Sequence, residues 1–319
     1  MEHLVECVPN FSEGKDQAVI NQITQPILDE SGVSLLDVDM GADFNRTVVT
    51  MVGDPEKVLK TVIECTRIAT SIIDMRNHKG EHARMGAVDV VPFIPISGIT
   101  MDQCVSLSKR YAETVSQELD LPVFLYAEAA TNPNRVNLPN IRRGEYEGME
   151  EKLSNPDWAP DFGPAEFKPK MGVTATGARQ ILIAYNVNLD TDDKAKANSI
   201  AARIRTSGSL VKDENGEKIL GDDGKPLRKP GLFKSLQAAG WMYDESTAQV
   251  SMNLLDFSVT GLHDVTEAIR NEAKVMGLNA TAGELVGLVP LEAMLSAGRW
   301  YEDNDEDADH ILLVQKAIS

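Results

Sequence analysis

The sequence predicts an α/β (α+β) protein in which one arrangement, strand–helix–strand–strand–helix–strand, occurs twice. Three observations carry the prediction. Segments rich in β-branched residues alternate with segments of helical spacing. The same order of segments returns in the second half of the chain. A stretch over 155–172, rich in Pro, Gly and aromatics and without either period, separates the two.

In the first half, residues 4–8 form a short strand. Residues 16–30 place Ile20, Ile23 and Ile27 at helical spacing. Residues 34–39 and 46–52 are strands, and Gly41-Ala42-Asp43-Phe44-Asn45 between them is turn chemistry. Asp54-Pro55 opens a helix, with Asp as cap and Pro at the first position, and Val58, Val62, Ala69 and Ile73 fall on one stripe. Residues 88–96 are nearly continuously apolar, as in a strand buried on both faces. This order is the split βαβ, or ferredoxin-like, unit. Residues 102–119 add a helix, 122–126 a strand and 142–153 a further short helix.

The stretch 155–172 is expected to be an ordered linking loop, because Trp158, Phe162 and Phe167 favour burial. Beyond it, 180–188 is a strand, 192–205 a helix, 241–243 and 249–255 strands, 264–276 a helix and 280–288 a strand. The prediction is two ferredoxin-like βαββαβ subdomains, 1–177 and 178–300, with facing mixed sheets, since each copy leaves one sheet face to cover. Residues 208–230, dense in Gly, Lys and Asp, are expected to be an exposed hairpin or lid. An acidic tail follows over 301–319.

The formal charge of −18 disfavours a nucleic-acid or anionic-membrane partner, since both repel an acidic surface. Any anionic substrate then needs a local basic patch. Cys7, Cys65 and Cys104 are too scattered for a disulfide framework or a thiolate zinc site and are expected to be small buried hydrophobes. Residues 1–4 lack a basic start followed by an apolar run, and no segment reaches the roughly 18 apolar residues that cross a bilayer. A cytoplasmic location is the expectation.

Titratable residues are densest in Asn77-His78-Lys79-Gly80-Glu81-His82-Ala83-Arg84-Met85-Gly86, between the second helix and the buried strand. His78-x-x-Glu81-His82 matches the H-x-x-E-H pattern of a zinc peptidase class. That chemistry needs both histidines on one continuing helix, and Asn77 and Gly80 are helix-ending residues, so no metal is assigned. From local sequence alone, His82 is either catalytic or a loop histidine that hydrogen-bonds a neighbour. His78 is expected to cap carbonyls at the helix end. A second cluster is Asp161-Phe162-Gly163-Pro164-Ala165-Glu166-Phe167-Lys168-Pro169-Lys170-Met171-Gly172, where Phe could stack a flat heterocycle and Lys pair an anion, or the segment could simply pack as a linker. A third sets Asp37-Val38-Asp39 against Asn45-Arg46, where an exposed ion pair is the plainer reading. Arg142-Arg143 completes the basic candidates.

Several blocks together resemble the glutamate formiminotransferase family. They are Val5-Glu6-Cys7-Val8-Pro9-Asn10-Phe11-Ser12-Glu13-Gly14, the His78 to Ala87 block, Trp158-Ala159-Pro160-Asp161-Phe162-Gly163-Pro164, Gly177-Ala178-Arg179, Asn253-Leu254-Leu255-Asp256-Phe257 and Leu285-Val286-Gly287-Leu288-Val289-Pro290. The resemblance spans nearly the whole chain. It implies two α/β subdomains with facing sheets, a folate tunnel between them, a homodimer, and the stand-alone form rather than one fused to a cyclodeaminase half. It implies transfer of a formimino group between 5-formiminotetrahydrofolate and L-glutamate, giving tetrahydrofolate and N-formimino-L-glutamate, in histidine breakdown. The tetrahydrofolate derivative is a co-substrate, and the small-molecule partners are that reduced folate and glutamate.

The family's catalytic histidine maps onto His82 and its folate stretch onto the cluster from Gly163 to Gly172. Within that cluster Ala165, Glu166, Lys168, Lys170 and Met171 depart from mammalian relatives, and the 208–230 insertion is another departure. Histidine suits a reaction that takes a proton from the attacking amine and returns one to the leaving nitrogen. An electropositive path of Arg84, Arg142, Arg143, Lys168, Lys170 and Arg179 is expected for the substrate carboxylates. Asp39 would orient an amine or the histidine unless it pairs with Arg46. Transfer from 5-formyltetrahydrofolate, and a folate-binding module without catalysis, are the rival readings.

Overall fold

The structure is a computed structural model that describes residues 3–80, 83–221 and 224–304. The chain divides into two compact units, Met1–Gln180 and Ile181–Ser319.

The first unit opens with β1 (Leu4–Cys7) and β2 (Asn10–Phe11), two halves of one strand path interrupted at Val8-Pro9. Then come α1 (Gln17–Asp29), β3 (Val33–Gly41), β4 (Arg46–Gly53), α2 (Pro55–Ile72), β5 (Val88–Ser97), α3 (Met101–Leu119), β6 (Val123–Ala127), α4 (Leu138–Arg142), α5 (Met149–Ser154) and β7 (Thr174–Ala178). The caps follow the sequence. Asp54 accepts from the backbone N–H groups of Glu56 and Lys57 at the start of α2, with Pro55 at its first position, and Asp16 caps α1.

β1 and β2 both lie between β4 and β5, antiparallel to each. β3 pairs with β4 on one side, while β7 and then β6 extend the sheet beyond β5 in parallel. Helices α1, α2 and α3 bury one face: Ile20, Val62, Cys65 and Tyr111 join Val5, Met51, Val91 and Phe93 in one core. A smaller core on the opposite face joins Val90, Phe124 and Ala175 to Ile141 of α4 and Met149 and Leu153 of α5. Cys7, Cys65 and Cys104 are free thiols buried in the larger core, as expected of small hydrophobes.

The second unit runs β8 (Ile183–Leu189), α6 (Lys194–Ile204), β9 (Ser209–Leu210), β10 (Arg228–Lys229), β11 (Leu236–Met242), β12 (Ala248–Leu254), α7 (Leu262–Val275), β13 (Ala280–Val286) and α8 (Leu291–Asn304). Its main sheet has the order β11-β12-β8-β13. With β8, β11, β12 and β13 as strands one to four, that order is two–three–one–four. The path β1/β2 with β3, β4 and β5 has the same order in the first unit.

Two expectations need correction, and two elements lay outside the expectations. The second sheet is not mixed: each helix joins strands that leave a slot between them, and a third strand fills it antiparallel. The helix expected over 142–153 is broken into α4 and α5, because Gly144 and Glu145 both take positive φ. β7 went unpredicted, since Thr-Ala-Thr-Gly-Ala carries neither bulk nor alternation, yet all five residues are buried. α8 was also missed; it packs Ala293 and Ala297 into the second core. The 208–230 insertion is a ribbon in which β9 and β10 pair antiparallel, with further bridges at Lys212–Lys218 and Leu220–Pro226. Residues 305–319 of the acidic tail lie outside the described residues. No helix among the described residues is long and apolar enough to cross a membrane.

Candidate active site

Alternation along the strands sends one set of side chains to the sheet face opposite α1–α3. Val38 and Met40 pack toward the larger core, so Asp39 between them faces away from it. One row crosses that face: Asp39 is opposite Val48, Asn10 lies between Val48 and Val90, and Ala175 and Phe124 continue it.

Asp89 adds a charge through a register break. Asn10 pairs with Val90 whereas Phe11 pairs with Val88, which leaves Asp89 as the extra residue of a bulge. Its residue is 1% exposed. One carboxylate oxygen accepts from the Met85 backbone N–H at 2.9 Å and the other from Nη2 of Arg142. Arg46 stands within the field of Arg142, Asp89 and Asp39; burial first, then the charge of Arg142, draws its pKa down. Tyr126 is buried on the same face, and burial raises its phenol pKa. Lys152 donates to the carbonyls of Ile141 and Arg143 at 2.5 and 2.6 Å, which secures the α4 end that carries Arg142. Burial, then Arg143, pulls its pKa down to about 8.

The segment after α2 leaves the helix. A 3₁₀ turn, Met75–Asn77, follows, and His78 is extended at φ −76° and ψ 130°. His78 does not cap α2. Its Nε2 lies 2.8 Å from the carbonyl oxygen of Asn45, and Nε of Arg84 donates to its Nδ1 at 3.3 Å. The Asn45 side chain, in left-handed backbone at φ 46°, donates to the Lys79 carbonyl at 2.9 Å. Gly80 is required here, because a Cβ would stand 2.2 Å from the Phe44 carbonyl oxygen. Glu81 and His82 lie outside the described residues.

Arg84, two residues beyond His82, has a buried guanidinium. It pairs with Glu147 at 2.6 and 2.8 Å and with Glu145 at 3.0 Å, and it lies over the Tyr146 ring. The Tyr146 hydroxyl donates to the Pro169 carbonyl at 2.5 Å, and its ring meets Phe167 at 5.2 Å. The 163–172 loop thus reaches the same place. Met171 and Met85 carbonyls accept from Ala87 and Val173, and Gly86 bridges Gly172. The loop begins at a buried pair in which Arg135 donates to Asp161 at 2.7 Å. A cleft of about 460 Å³ opens between Lys79, Gly80, Arg84, Gly144, Glu145 and Glu147.

Residues 4–179 match the model of the formiminotransferase domain, N-terminal subdomain, and residues 184–318 that of the formiminotransferase domain. The chain belongs to the formiminotransferase family. It is 43% identical to glutamate formimidoyltransferase of Streptococcus pyogenes serotype M1 over 94% of each chain. It is 38% identical to the Thermoplasma acidophilum protein of the same name, over 97% of this chain and 96% of that one. It is 49% identical to rat formimidoyltransferase-cyclodeaminase over 96% of this chain and 54% of that protein, so it spans about half that relative's length.

Within this formiminotransferase fold, the three clusters expected from sequence converge in the first unit. Asp39, Arg46, Arg84 and Arg142 all stand there, but not as bare charges. Arg142 is paired with Asp89 and Arg84 with two glutamates. Lys168 pairs with Glu166 at 3.2 Å, and Lys170 donates to the Ser71 carbonyl at 2.5 Å. Arg143 is exposed and reaches Asn140 at 3.4 Å. Arg179 donates to the Gln180 carbonyl and sits in the field of Glu6 and Tyr126.

Sequence reasoning missed Asp89, Glu145, Tyr146 and Glu147. The signal for Asp89 was an acid inside an otherwise apolar strand, which points to a bulge or a buried partner. The signal for the other three was Gly144 inside a supposed helix.

Proposed function

We propose that this chain moves a formimino group between 5-formiminotetrahydrofolate and L-glutamate, with His82 as the acid–base residue. One observation carries the geometric side of the reading. The segment that resembles the family's histidine block and the stretch that resembles its folate loop run side by side, with Gly86 against Gly172. The near-full-length likeness to two proteins named glutamate formimidoyltransferase supports the same activity.

The chemistry is an amine exchange at one carbon. The glutamate nitrogen attacks the formimino carbon, the tetrahedral adduct loses a proton from that nitrogen, and N5 of the folate gains one as it departs. His82 takes the first proton and delivers the second. Residues before and after it are tied down, Lys79 to the Asn45 turn and Arg84 and Met85 to carboxylates. The residues from Gly163 to Gly172 hold the pterin-bearing substrate, Arg46, Arg142, Arg143 and Arg179 steer its carboxylates and those of glutamate, and Asp39 orients an amine or the histidine. No step calls for Lewis-acid polarisation or activated water, so no metal is assigned.

The reading extends to ferredoxin-like subdomains over 1–177 and 178–300, with a tail over 301–319, and to a cytoplasmic homodimer. The two–three–one–four strand order of each unit supports the ferredoxin-like description. The test is glutamate-dependent loss of the formimino group from 5-formiminotetrahydrofolate by purified protein, with 5-formyltetrahydrofolate assayed beside it. Turnover of the formimino donor at the faster rate is expected. Turnover of the formyl donor alone, or folate binding with no turnover, contradicts the proposal.

A further inference from the structure

We propose that Arg84 is the anchor for a carboxylate of the amino-acid substrate, and that Glu145 and Glu147 occupy this anchor until that carboxylate displaces them. The substrate's identity rests on the transfer reading above; the anchor itself rests on four features of the structure.

First, burial is unequal across the cluster. The Arg84 side chain is 8% exposed, whereas Glu145 and Glu147 are 46% and 65% exposed. The cation is built into the protein, and its partners stand at the rim where water can receive them.

Second, the pairing is the one a substrate carboxylate would make. Glu147 grips Nη1 and Nη2 with its two oxygens at 2.8 and 2.6 Å, the forked geometry by which arginine recognises carboxylates. Glu145 adds one bond to Nη1 at 3.0 Å. His78 takes Nε on the far side and fixes the orientation of the guanidinium plane.

Third, the Glu145 backbone is set independently of its ion pair. It is at φ 53° and ψ −161°, a region that residues with a Cβ seldom enter, with Gly144 beside it at φ 91°. The Glu145 N–H donates to the Arg142 carbonyl at 2.7 Å, so the turn is held by the main chain and the carboxylate can leave Arg84 without unmaking it.

Fourth, the cleft beside the clamp is lined by charged side chains and glycines. Its lining of Lys79, Gly80, Arg84, Gly144, Glu145 and Glu147 balances two cations against two anions, in a volume of about 460 Å³. With the two glutamates swung outward, the remaining charges are Arg84 and Lys79. That pair suits a small dicarboxylate, with one carboxylate on the buried arginine and the other toward the exposed lysine. The acidic molecule would then shield this buried cation from other anions and yield it to a ligand with two carboxylates.

A merely structural clamp and a displaceable one differ in the sign of a single effect. Glutarate, a dicarboxylate without the amine, is titrated calorimetrically into wild-type protein, Glu145→Gln/Glu147→Gln and Arg84→Gln, with Tm recorded for each. Glutarate is expected to bind the double variant about tenfold more tightly than wild type, the scale of one charge-assisted contact. It is expected to bind Arg84→Gln about tenfold or more weakly. If the double variant is unfolded, Glu147→Gln alone is expected to tighten binding in the same direction. Unchanged or weaker glutarate binding in folded glutamine variants, or wild-type binding by Arg84→Gln, overturns the anchor. The readout is binding without turnover. A wild-type protein that binds glutarate in this pattern but transfers nothing to glutamate refutes the transfer reading and leaves the anchor standing.

Discussion

Arg84 and His78 share a hydrogen bond that fixes the protonation state of the imidazole. Nε of the arginine donates to Nδ1 at 3.3 Å, so Nδ1 is the acceptor nitrogen, and Nε2 carries the proton toward the Asn45 carbonyl at 2.8 Å. A doubly protonated ring would lose the arginine bond and place two cations together.

The pH dependence of stability follows from that state. Burial first, then Arg84, lowers the His78 pKa, and Lys15 acts in the same direction; the Asn45 bond and Glu13 oppose them. The unfolded chain therefore binds the proton more readily than the folded one. The contribution is complete above about pH 6.5, the ordinary histidine value, and is lost as pH falls toward the lowered folded pKa. A His78→Gln variant, which keeps a donor near Nε2 but does not titrate, should show a shallower fall of Tm below about pH 6.5 than wild type. Parallel Tm–pH curves would contradict this.

Asp89 is predicted to be an acid on which the stability of the first unit depends. Asp89→Ala leaves the Arg142 guanidinium without its carboxylate and the Met85 N–H without an acceptor. Removal of one partner from a buried pair costs about 3–5 kcal/mol. Asp89→Asn keeps the acceptor for Met85 and should lose less. Urea denaturation of both variants measures the order, and an alanine variant as stable as the asparagine one speaks against it.

Glu145→Gly should raise stability although it removes an ion pair. Release of a non-glycine residue from this backbone region is worth about 1–3 kcal/mol. A partly exposed pair with a single hydrogen bond contributes about 0–1 kcal/mol, and glycine's extra freedom in the unfolded chain takes back about 0.5–1 kcal/mol. Tm of the glycine and alanine variants decides the matter: glycine should exceed wild type and alanine should not.

The sequence made the fold legible wherever burial follows a simple period. The α1 stripe, the Asp54-Pro55 start of α2 and the doubly buried β5 appear where periodicity and capping place them. It failed where side chains are small or the backbone is exceptional. β7 is buried through residues too small to show a pattern, and Gly144 with Glu145 ends a helix that spacing alone would continue. The candidate site was legible as composition, in the histidine block and the 163–172 loop. Its partners were not, because Asp89 and Glu147 lie far along the chain from the arginines they hold, Arg142 and Arg84. Arg142 meets Asp89 only because a bulge turns that acid out of the β5 alternation, and no local spacing announces the pair.

The central claim is that His82 carries protons between the two nitrogens. The most direct measurement is kcat for formimino transfer by His82→Ala, with reduced-folate affinity measured by titration on the same preparation. A fall of about 10²–10⁴-fold in kcat with folate affinity retained is the expected result. Full turnover by the alanine variant, with folate bound as in wild type, would contradict the account.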